Sequence, residues 1–330
     1  MQYYKRVEES TRIICLLCRH YCQLKEGQTG ICSVNKNKNG HLENLVYGHP
    51  VALNVDPVEK KPLYHVLPGA DVLSFGTVGC NFKCPFCQNW DISQEKTINT
   101  TISVSPAKML ALAAEHGTKG IAYTYNEPTI FYPYAKDIGL LAKEKGLKNI
   151  FVSNGFESRE VIADMADWVD AANIDLKSWD NDYYKKVLKG GLEEVKDTLK
   201  RMVEAGIWVE VTTLIIPGEN DGQRDLEEMA EFISNDLGRS VPWHLSAFFP
   251  NYKMQDHEAT KIETLKKAKE TGVRAGLEYI YLGNVISDSN TYCPECHALL
   301  IERNGYTVLK NSIKEGACPD CRYKIKGLWS

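Results

Sequence analysis

Apolar runs of strand length alternate with segments of helical periodicity along the middle of the chain. From residue 71 onward, each apolar run is followed by a stretch whose apolar residues recur at helical spacing. The predicted strands cover residues 72–78, 120–125, 149–153, 171–175, 208–216, 242–249 and 277–282. The predicted helices cover residues 106–116, 129–145, 158–168, 182–205, 225–235 and 258–272. About six or seven strand–helix units in succession predict an α/β fold with a parallel sheet.

This alternation leaves two architectures open, a partial barrel of the TIM type and an open doubly wound sheet. In a barrel, ligands bind at the carboxyl ends of the strands. Residues 41–70 are rich in proline, glycine and valine and are interpreted as an irregular lead-in. We therefore divide the chain into an N-terminal segment (1–69), an α/β domain (70–286) and a C-terminal module (287–330).

Composition is that of a globular protein. The chain has 330 residues, of which 43% are hydrophobic and 25% charged, and its net charge of −4 gives no reason to expect strong nucleic-acid binding. The N-terminus has no apolar signal region and no run of 18 apolar residues occurs, so we expect a cytoplasmic protein without a membrane partner. Eleven cysteines fall into groups of four, three and four, at spacings typical of metal sites rather than disulfides.

The central group, Cys80, Cys84 and Cys87, lies on a short loop directly after the first predicted strand. Three thiolates can hold three irons of a [4Fe–4S] cluster and leave the fourth iron open to a small molecule. A structural zinc site with a borrowed fourth ligand, or three buried thiols, is the alternative. A local set of three ligands favours a cluster that takes part in chemistry.

The N-terminal group, Cys15, Cys18, Cys22 and Cys32, lies within eighteen residues. So short a segment cannot bury a core of its own, and a bound metal would organise it. Four thiolates suit tetrahedral zinc or a complete iron–sulfur cluster. We expect zinc here, with an auxiliary cluster and a metal-free role as the alternatives.

The C-terminal group has the pattern of a zinc ribbon. Two Cys-x2-Cys pairs flank two short apolar runs joined at Asn304-Gly305, a hairpin signal. The predicted zinc ligands are Cys293, Cys296, Cys318 and Cys321. An auxiliary cluster is again the alternative. The ribbon would either dock a macromolecule or hold the C-terminus in place.

The cysteine loop resembles the signature of the radical S-adenosylmethionine (SAM) superfamily, Cys-x3-Cys-x-aromatic-Cys, with Phe86 at the aromatic position. Over nearly its whole length the chain is similar to the radical SAM protein of the AmmeMemoRadiSam system, a family related to the pyruvate formate-lyase activating enzymes. This resemblance implies a partial (β/α)6 TIM-like barrel and a [4Fe–4S] cluster. It also implies that SAM is reduced to methionine and a 5′-deoxyadenosyl radical, with a low-potential electron donor and the system's companion proteins as partners.

The resemblance also implies SAM contacts after the second and third strands. Asn126 and Glu127 lie where the superfamily has a Gly-Gly-Glu-type motif that meets the methionyl amino group, although Asn126 departs from glycine. Glu127 has the charge that an ammonium requires. Ser153 and Asn154 follow the third strand. The alternative for Glu127 is a carboxylate favoured at a helix N-terminus.

Two further contacts follow the fourth and sixth strands. Asp175 and Lys177 lie on one face of an extended segment, as does an Asp-x-Lys pair of the activating enzymes. By that similarity Lys177 would pair with the SAM carboxylate, and His244 would lie at the edge of SAM. An ordinary strand-end ion pair and a core histidine are the alternatives.

The sequence therefore predicts a radical SAM enzyme that abstracts hydrogen from an unidentified substrate, and a protein substrate is one possibility within the activating-enzyme relationship. Radical modification of a small molecule or nucleic acid is the competing branch. The other class is a non-catalytic, metal-rich interaction protein. A barrel of six strands would have an open side, so we expect a macromolecular substrate or delivery by a partner protein.

Overall fold

The computed structural model describes residues 3–8 and 10–329, and its N-terminal part consists of two small antiparallel sheets. The first contains β1 (Tyr4–Arg6), β2 (Ile13–Cys15) and β3 (Gln23–Leu24). The second is a hairpin of β4 (Asn35–Lys38) and β5 (His41–Asn44). These strands are short and mostly polar, so the sequence lacks the alternation by which strands are recognised.

The centre of the fold is an eight-stranded sheet whose strands follow one another in chain order. Its strands are β6 (Ala52–Pro57), β7 (Asp71–Gly76), β8 (Gly120–Tyr123), β9 (Lys148–Ser153), β10 (Ala171–Asp175), β11 (Trp208–Ile215), β12 (Trp243–Ala247) and β13 (Ile280–Gly283). Strands β7 to β13 are parallel, and β6 is antiparallel to β7. The interpretation of residues 41–70 as irregular is therefore wrong, since they contain β5 and β6.

Helices occupy the connections between the parallel strands. They are α1 (Trp90–Ser93), α2 (Pro106–Glu115), α3 (Tyr132–Glu144), α4 (Arg159–Met165), α5 (Asn181–Tyr183), α6 (Leu192–Glu204), α7 (Gln223–Phe232) and α8 (Ile262–Arg274). Short 3₁₀ turns precede β7 and α3, and π-helical turns follow α5 and α7. Ser105 and Ser158 cap α2 and α4 by accepting hydrogen bonds from backbone N–H groups of the first turn.

The two faces of the sheet pack against different parts of the chain, because successive side chains of a strand point to opposite faces. One face, with Phe75 and Val211 among others, packs on the helices in the main core. The other face includes Val72, Ala122 and Ile150, which pack with residues of the 58–66 segment before β7. That second face also includes Asp175 and His244, which both pair in register with Thr212 of β11.

Consecutive strand order distinguishes between the two architectures left open by the sequence. A doubly wound sheet reverses its strand order at a switch point, and no such reversal occurs among β6 to β13. The fold is therefore α/β with a mostly parallel sheet that is not doubly wound. None of the described helices combines the length and apolar character needed to cross a membrane.

The C-terminal module is a three-stranded antiparallel sheet of β14 (Thr291–Tyr292), β15 (Leu299–Asn304) and β16 (Thr307–Asn311). The hairpin predicted at Asn304-Gly305 is confirmed by the pairing of β15 with β16. The last residues return to the main sheet, where Leu328 exchanges backbone hydrogen bonds with His65 and Leu67. The C-terminus is thus attached to the 58–67 segment.

Candidate active site at the cysteine loop

The three central cysteines lie on the loop that follows β7. Cys80 and Cys84 are buried, and Cys87 is half-buried. The backbone N–H of Phe82 donates to Cys80 Sγ at 3.4 Å, and Cys87 Sγ lies 3.2 Å from Ser93 Oγ. Three thiolates on one short loop, with donors placed at the sulfurs, fit the ligand set of an iron–sulfur cluster with one open iron.

This loop also explains why the helix predicted for residues 182–205 is broken. The backbone N–H of Lys83 donates to the carbonyl oxygen of Leu188 at 2.9 Å. A Cβ atom on Gly190 would lie 2.3 Å from the ring of Phe82, so only glycine fits there. The prediction of one continuous helix is therefore wrong, because the cysteine loop packs where the helix would have continued.

Asn126, the residue that departs from the superfamily motif, connects the ends of β7 and β8. Its side chain donates to the carbonyl oxygen of Gly79 at 2.9 Å and to Thr77 Oγ1 at 3.2 Å. Its Oδ1 accepts from the backbone N–H of Thr77 at 3.2 Å. An amide side chain has both donors and an acceptor, so it can hold the backbone that leads into Cys80.

Glu127 is buried and hydrogen-bonded to the neighbouring strand end. Its Oε1 accepts from the backbone N–H and the hydroxyl of Thr129, at 3.0 and 2.6 Å. Its Oε2 accepts from the backbone N–H of Asn154 at 2.8 Å, and Ser153 Oγ lies 2.9 Å from Oε1. Burial raises the pKa of Glu127, and these hydrogen bonds oppose that effect by stabilising the negative charge. Two features expected from sequence, Glu127 and the pair Ser153-Asn154, are thus in direct contact.

A second buried carboxylate, Glu157, shares Ser153 with Glu127 and was not identified from the sequence. Glu157 Oε1 lies 2.5 Å from Ser153 Oγ. A serine hydroxyl has one hydrogen and can donate to one carboxylate only, so contact with both requires a proton on one of them. Burial, and then the charge of Glu127, raise the pKa of Glu157 to about 7. We therefore assign the proton to Glu157, which donates to Ser153.

Stability should fall as pH rises through the range in which Glu157 ionises. Below its ordinary pKa of 4.5, Glu157 is protonated whether the chain is folded or not. Above that value the unfolded chain releases the proton and the folded chain keeps it up to about pH 7, so unfolding is favoured. Glu157→Gln keeps the neutral shape and should gain up to about 3 kcal/mol at pH 8 and little at pH 4.5. Thermal unfolding at both pH values measures the difference.

The exposed carboxylate Glu144 offers a matched control. Glu144→Gln should leave the unfolding temperature almost unchanged at both pH values. A Glu157→Gln variant that is less stable than the native chain at pH 8 would contradict the assignment of the proton.

The predicted pair after the fourth parallel strand forms an ion pair beside the cysteine loop. Lys177 Nζ lies 2.6 Å from Asp175 Oδ2 and 5.9 Å from the centre of the Phe86 ring. Burial alone lowers the pKa of Lys177, but the nearby Asp175 and Cys84 outweigh it and raise the pKa above the usual value. Lys177 is therefore a fixed cation at the edge of the cysteine loop.

Asn154 reaches the same loop from β9. Its Nδ2 donates to Asn81 Oδ1 at 2.7 Å and lies 4.0 Å from Cys80 Sγ. The ends of β8, β9 and β10 thus place Asn126, Asn154 and Lys177 around the cysteines. This is the side-by-side arrangement expected at the carboxyl ends of parallel strands.

The contacts of His244 are with a different group of residues. Its Nε2 lies 2.6 Å from Glu210 Oε2, and its ring stacks on Tyr281 at 5.3 Å. Glu210 also accepts backbone hydrogen bonds from Tyr64 and His65. His244 lines a cavity of about 450 Å³ between the main sheet and the C-terminal module. Among the described residues, none of its polar or aromatic contacts is with the cysteine loop.

Comparison with known proteins identifies a radical SAM domain within the chain. Residues 75–233 match the model of the radical SAM superfamily. This region begins in β7, contains the cysteine loop and ends at Ile233, directly after α7. The chain therefore contains a radical SAM domain and is an enzyme of the radical SAM type. This domain implies a [4Fe–4S] cluster and SAM, and the three-thiolate loop fits that cluster.

Individual relatives agree with this assignment. The chain is 40% identical over 328 residues to the Methanocaldococcus jannaschii protein called Uncharacterized protein MJ0808, covering 98% of this chain and 97% of the relative. It is 23% identical over 207 residues to the pyruvate formate-lyase-activating enzyme of Clostridium pasteurianum, covering 58% of this chain and 86% of the relative. Among solved structures, a radical SAM methyltransferase from Sphaerobacter thermophilus has the same fold, with a TM-score of 0.51 and 16% identity, over 65% of this chain and 66% of that one.

Proposed function

We propose that this protein binds SAM at the carboxyl ends of its parallel strands and uses it to take a hydrogen atom from a protein substrate. The observation that carries the proposal is the ion pair of Asp175 and Lys177 beside Cys84 and Phe86. A fixed cation next to three cluster-type thiolates suits a ligand whose carboxylate must lie close to an open iron.

Each residue in this site has a stated role. Cys80, Cys84 and Cys87 hold three irons of the cluster, and Lys177 pairs with the SAM carboxylate. Asp175 orients Lys177 through their 2.6 Å contact. Glu127 contributes negative charge near the SAM ammonium, and its hydrogen bonds to Ser153 and Asn154 hold the two strand ends in position. Phe86 packs against the ligands. His244, which the resemblance placed at the edge of SAM, borders the cavity between the main sheet and the C-terminal module.

A [4Fe–4S] cluster held by Cys80, Cys84 and Cys87 would supply one electron, taken from a low-potential donor, for the reductive cleavage of SAM to methionine and a 5′-deoxyadenosyl radical. That radical would take a hydrogen atom from the substrate and become 5′-deoxyadenosine. The chain's own residues bind and orient SAM and exclude water, because a primary radical reacts with whatever lies next to it.

A protein substrate is supported by the activating-enzyme relative, whose name states that it acts on pyruvate formate-lyase, itself a protein. We also propose membership of the AmmeMemoRadiSam group, whose companion proteins would be partners. The sheet would be a partial barrel whose open side admits the substrate. The C-terminal module would be a zinc ribbon, which the 3.5 and 3.6 Å sulfur–sulfur distances across its two cysteine pairs support.

The experiment uses protein that has been reconstituted in the absence of oxygen. SAM and the reductant dithionite are then added. Methionine and 5′-deoxyadenosine should form slowly and in equal amounts without substrate. The protein is then incubated with protein and small-molecule fractions of an extract from cells grown in deuterated medium. If 5′-deoxyadenosine formed in the presence of the protein fraction contains deuterium, the proposal is supported. If it contains deuterium only in the presence of the small-molecule fraction, the proposal of a protein substrate is overturned.

Lys177→Ala should weaken SAM binding without unfolding the protein. A hydrogen bond to a charged group contributes about 1.5–3 kcal/mol, so the dissociation constant should rise roughly 10- to 150-fold. Equilibrium binding of SAM to the reconstituted protein measures this change.

The control is Lys186→Ala. Lys186 is exposed and pairs with Asp182 on the neighbouring turn. Its removal should leave SAM affinity unaltered. If Lys177→Ala binds SAM as tightly as the native chain does, Lys177 is not part of the SAM site.

A further inference from the structure

The N-terminal cysteines converge on one place next to the main sheet. Cys15 ends β2, Cys18 and Cys22 follow it, and Cys32 precedes β4. Three of the four are buried and Cys22 is half-buried. A Cβ atom on Gly30 would lie 3.4 Å from Cys22 Sγ and 3.7 Å from Cys32 Sγ, so these sulfurs flank the same glycine.

Distances between sulfurs distinguish a single metal ion from a cluster. Zinc binds thiolates at about 2.3 Å, so a tetrahedral site holds its sulfurs about 3.8 Å apart. The C-terminal cysteines match this spacing. Cys293 Sγ lies 3.5 Å from Cys321 Sγ, Cys296 Sγ lies 3.6 Å from Cys318 Sγ, and all four sulfurs lie within 4.8 Å of one another.

The N-terminal sulfurs are farther apart. Within the described residues, no three of them lie within 4.8 Å of one another, and the same is true of the three sulfurs of the cysteine loop. A cube of four irons and four sulfides holds its thiolates farther apart than one ion does. We propose that Cys15, Cys18, Cys22 and Cys32 hold a fully ligated [4Fe–4S] cluster, which replaces the zinc expected from the sequence.

The surroundings of the N-terminal site also differ from those of the C-terminal one. Cys296 and Cys321 are exposed, as a structural zinc site tolerates. The N-terminal thiols are enclosed by apolar residues that include Leu17 and Val34. The side chain of Asn35 donates to Cys32 Sγ at 3.5 Å. Burial and hydrogen bonds to sulfur are the means by which proteins adjust the potential of an iron–sulfur cluster.

This second cluster would lie directly behind the cysteine loop of the SAM site. A Cβ atom on Gly79, which precedes Cys80, would lie 2.6 Å from the carbonyl oxygen of Cys32. The ring of His20 donates from Nε2 to the carbonyl oxygen of Asn81 at 3.0 Å. The two metal sites are therefore adjacent, and the inference stands whether or not the enzyme acts on a protein.

The test is a metal count on the full chain after anaerobic reconstitution with iron and sulfide, in the presence of zinc. The native chain should hold about eight irons and one zinc. A variant with Cys80, Cys84 and Cys87 all changed to alanine should keep about four irons. On reduction, its electron paramagnetic resonance signal should not change when SAM is added.

Two further variants complete the set. Cys18→Ser with Cys32→Ser should lose about four irons and keep the SAM-sensitive signal. Cys296→Ala with Cys321→Ala, the matched control, should lose zinc and keep all the iron. If the triple alanine variant does not fold, Mössbauer spectra of the native chain decide between one cluster and two. Four irons with two zincs in the native chain would overturn the proposal. In that case 5′-deoxyadenosine would still form, so the proposed function would stand without the second cluster.

Discussion

Replacing Cys84 with alanine will abolish the formation of 5′-deoxyadenosine. In the proposed function the loop provides three thiolates for three irons, and the cofactor, not the protein, would perform the bond breaking. Removal of one ligand therefore removes the reactive group rather than weakening one contact. Burial raises the pKa of Cys84, and the positive charge of Lys177 opposes this effect. The assay is chromatography of 5′-deoxyadenosine after anaerobic reduction with SAM.

The outcome must be separated from unfolding. Circular dichroism and the unfolding temperature should remain close to those of the native chain, since alanine leaves only a small cavity at Cys84. Cys296→Ala, in the exposed half of the C-terminal site, should cleave SAM at the native rate. Cleavage by the Cys84→Ala variant at a rate within tenfold of the native rate would remove Cys84 from the ligand set.

The strands and their ends were predictable because they depend on local pattern. The predicted strand 171–175 is confirmed as β10, and the twofold repeat of an extended segment correctly placed Asp175 and Lys177 on one face. Consecutive strand–helix units likewise predicted a parallel sheet, which β7 to β13 confirm. Glu127 lies beside Asn154 because they follow β8 and β9, and neighbouring parallel strands have their carboxyl ends at the same edge of the sheet.

Features that depend on distant contacts were not predictable. Glu157 lies four residues after Ser153 with no motif of its own, and only the Ser153 hydroxyl that it shares with Glu127 makes it distinctive. The break at Gly190 depends on the ring of Phe82, about a hundred residues earlier. The proposal of a cluster rather than zinc at the N-terminal cysteines also needed the structure, because four thiolates in sequence suit zinc and a cluster alike, whereas the sulfur spacing differs.

Arg303→Met will destabilise the whole protein, because Arg303 joins the C-terminal module to the 58–67 segment that packs on the main sheet. Its guanidinium donates to the carbonyl oxygen of Tyr64 at 2.7 Å and lies over the Tyr64 ring at 4.4 Å. Its Nε lies 3.5 Å from Glu59 Oε1, with both side chains fully buried. Removal of one partner of a buried ion pair leaves an uncompensated charge and costs about 3–5 kcal/mol. Denaturant unfolding of the metal-loaded protein measures this loss.

A second substitution tests whether the loss of stability comes from the Glu59 carboxylate that is left buried without its partner. Glu59→Gln, added to Arg303→Met, removes that charge and should restore much of the stability, since neutral replacements of a buried pair are well tolerated. Lys310→Met is the matched control, a change of an exposed cation in the same hairpin to the same residue. It should alter the unfolding free energy by less than about 0.5 kcal/mol.

A loss below about 1 kcal/mol for Arg303→Met would contradict this prediction. It would mean that the C-terminal module is held by other contacts, such as the backbone hydrogen bonds of Leu328.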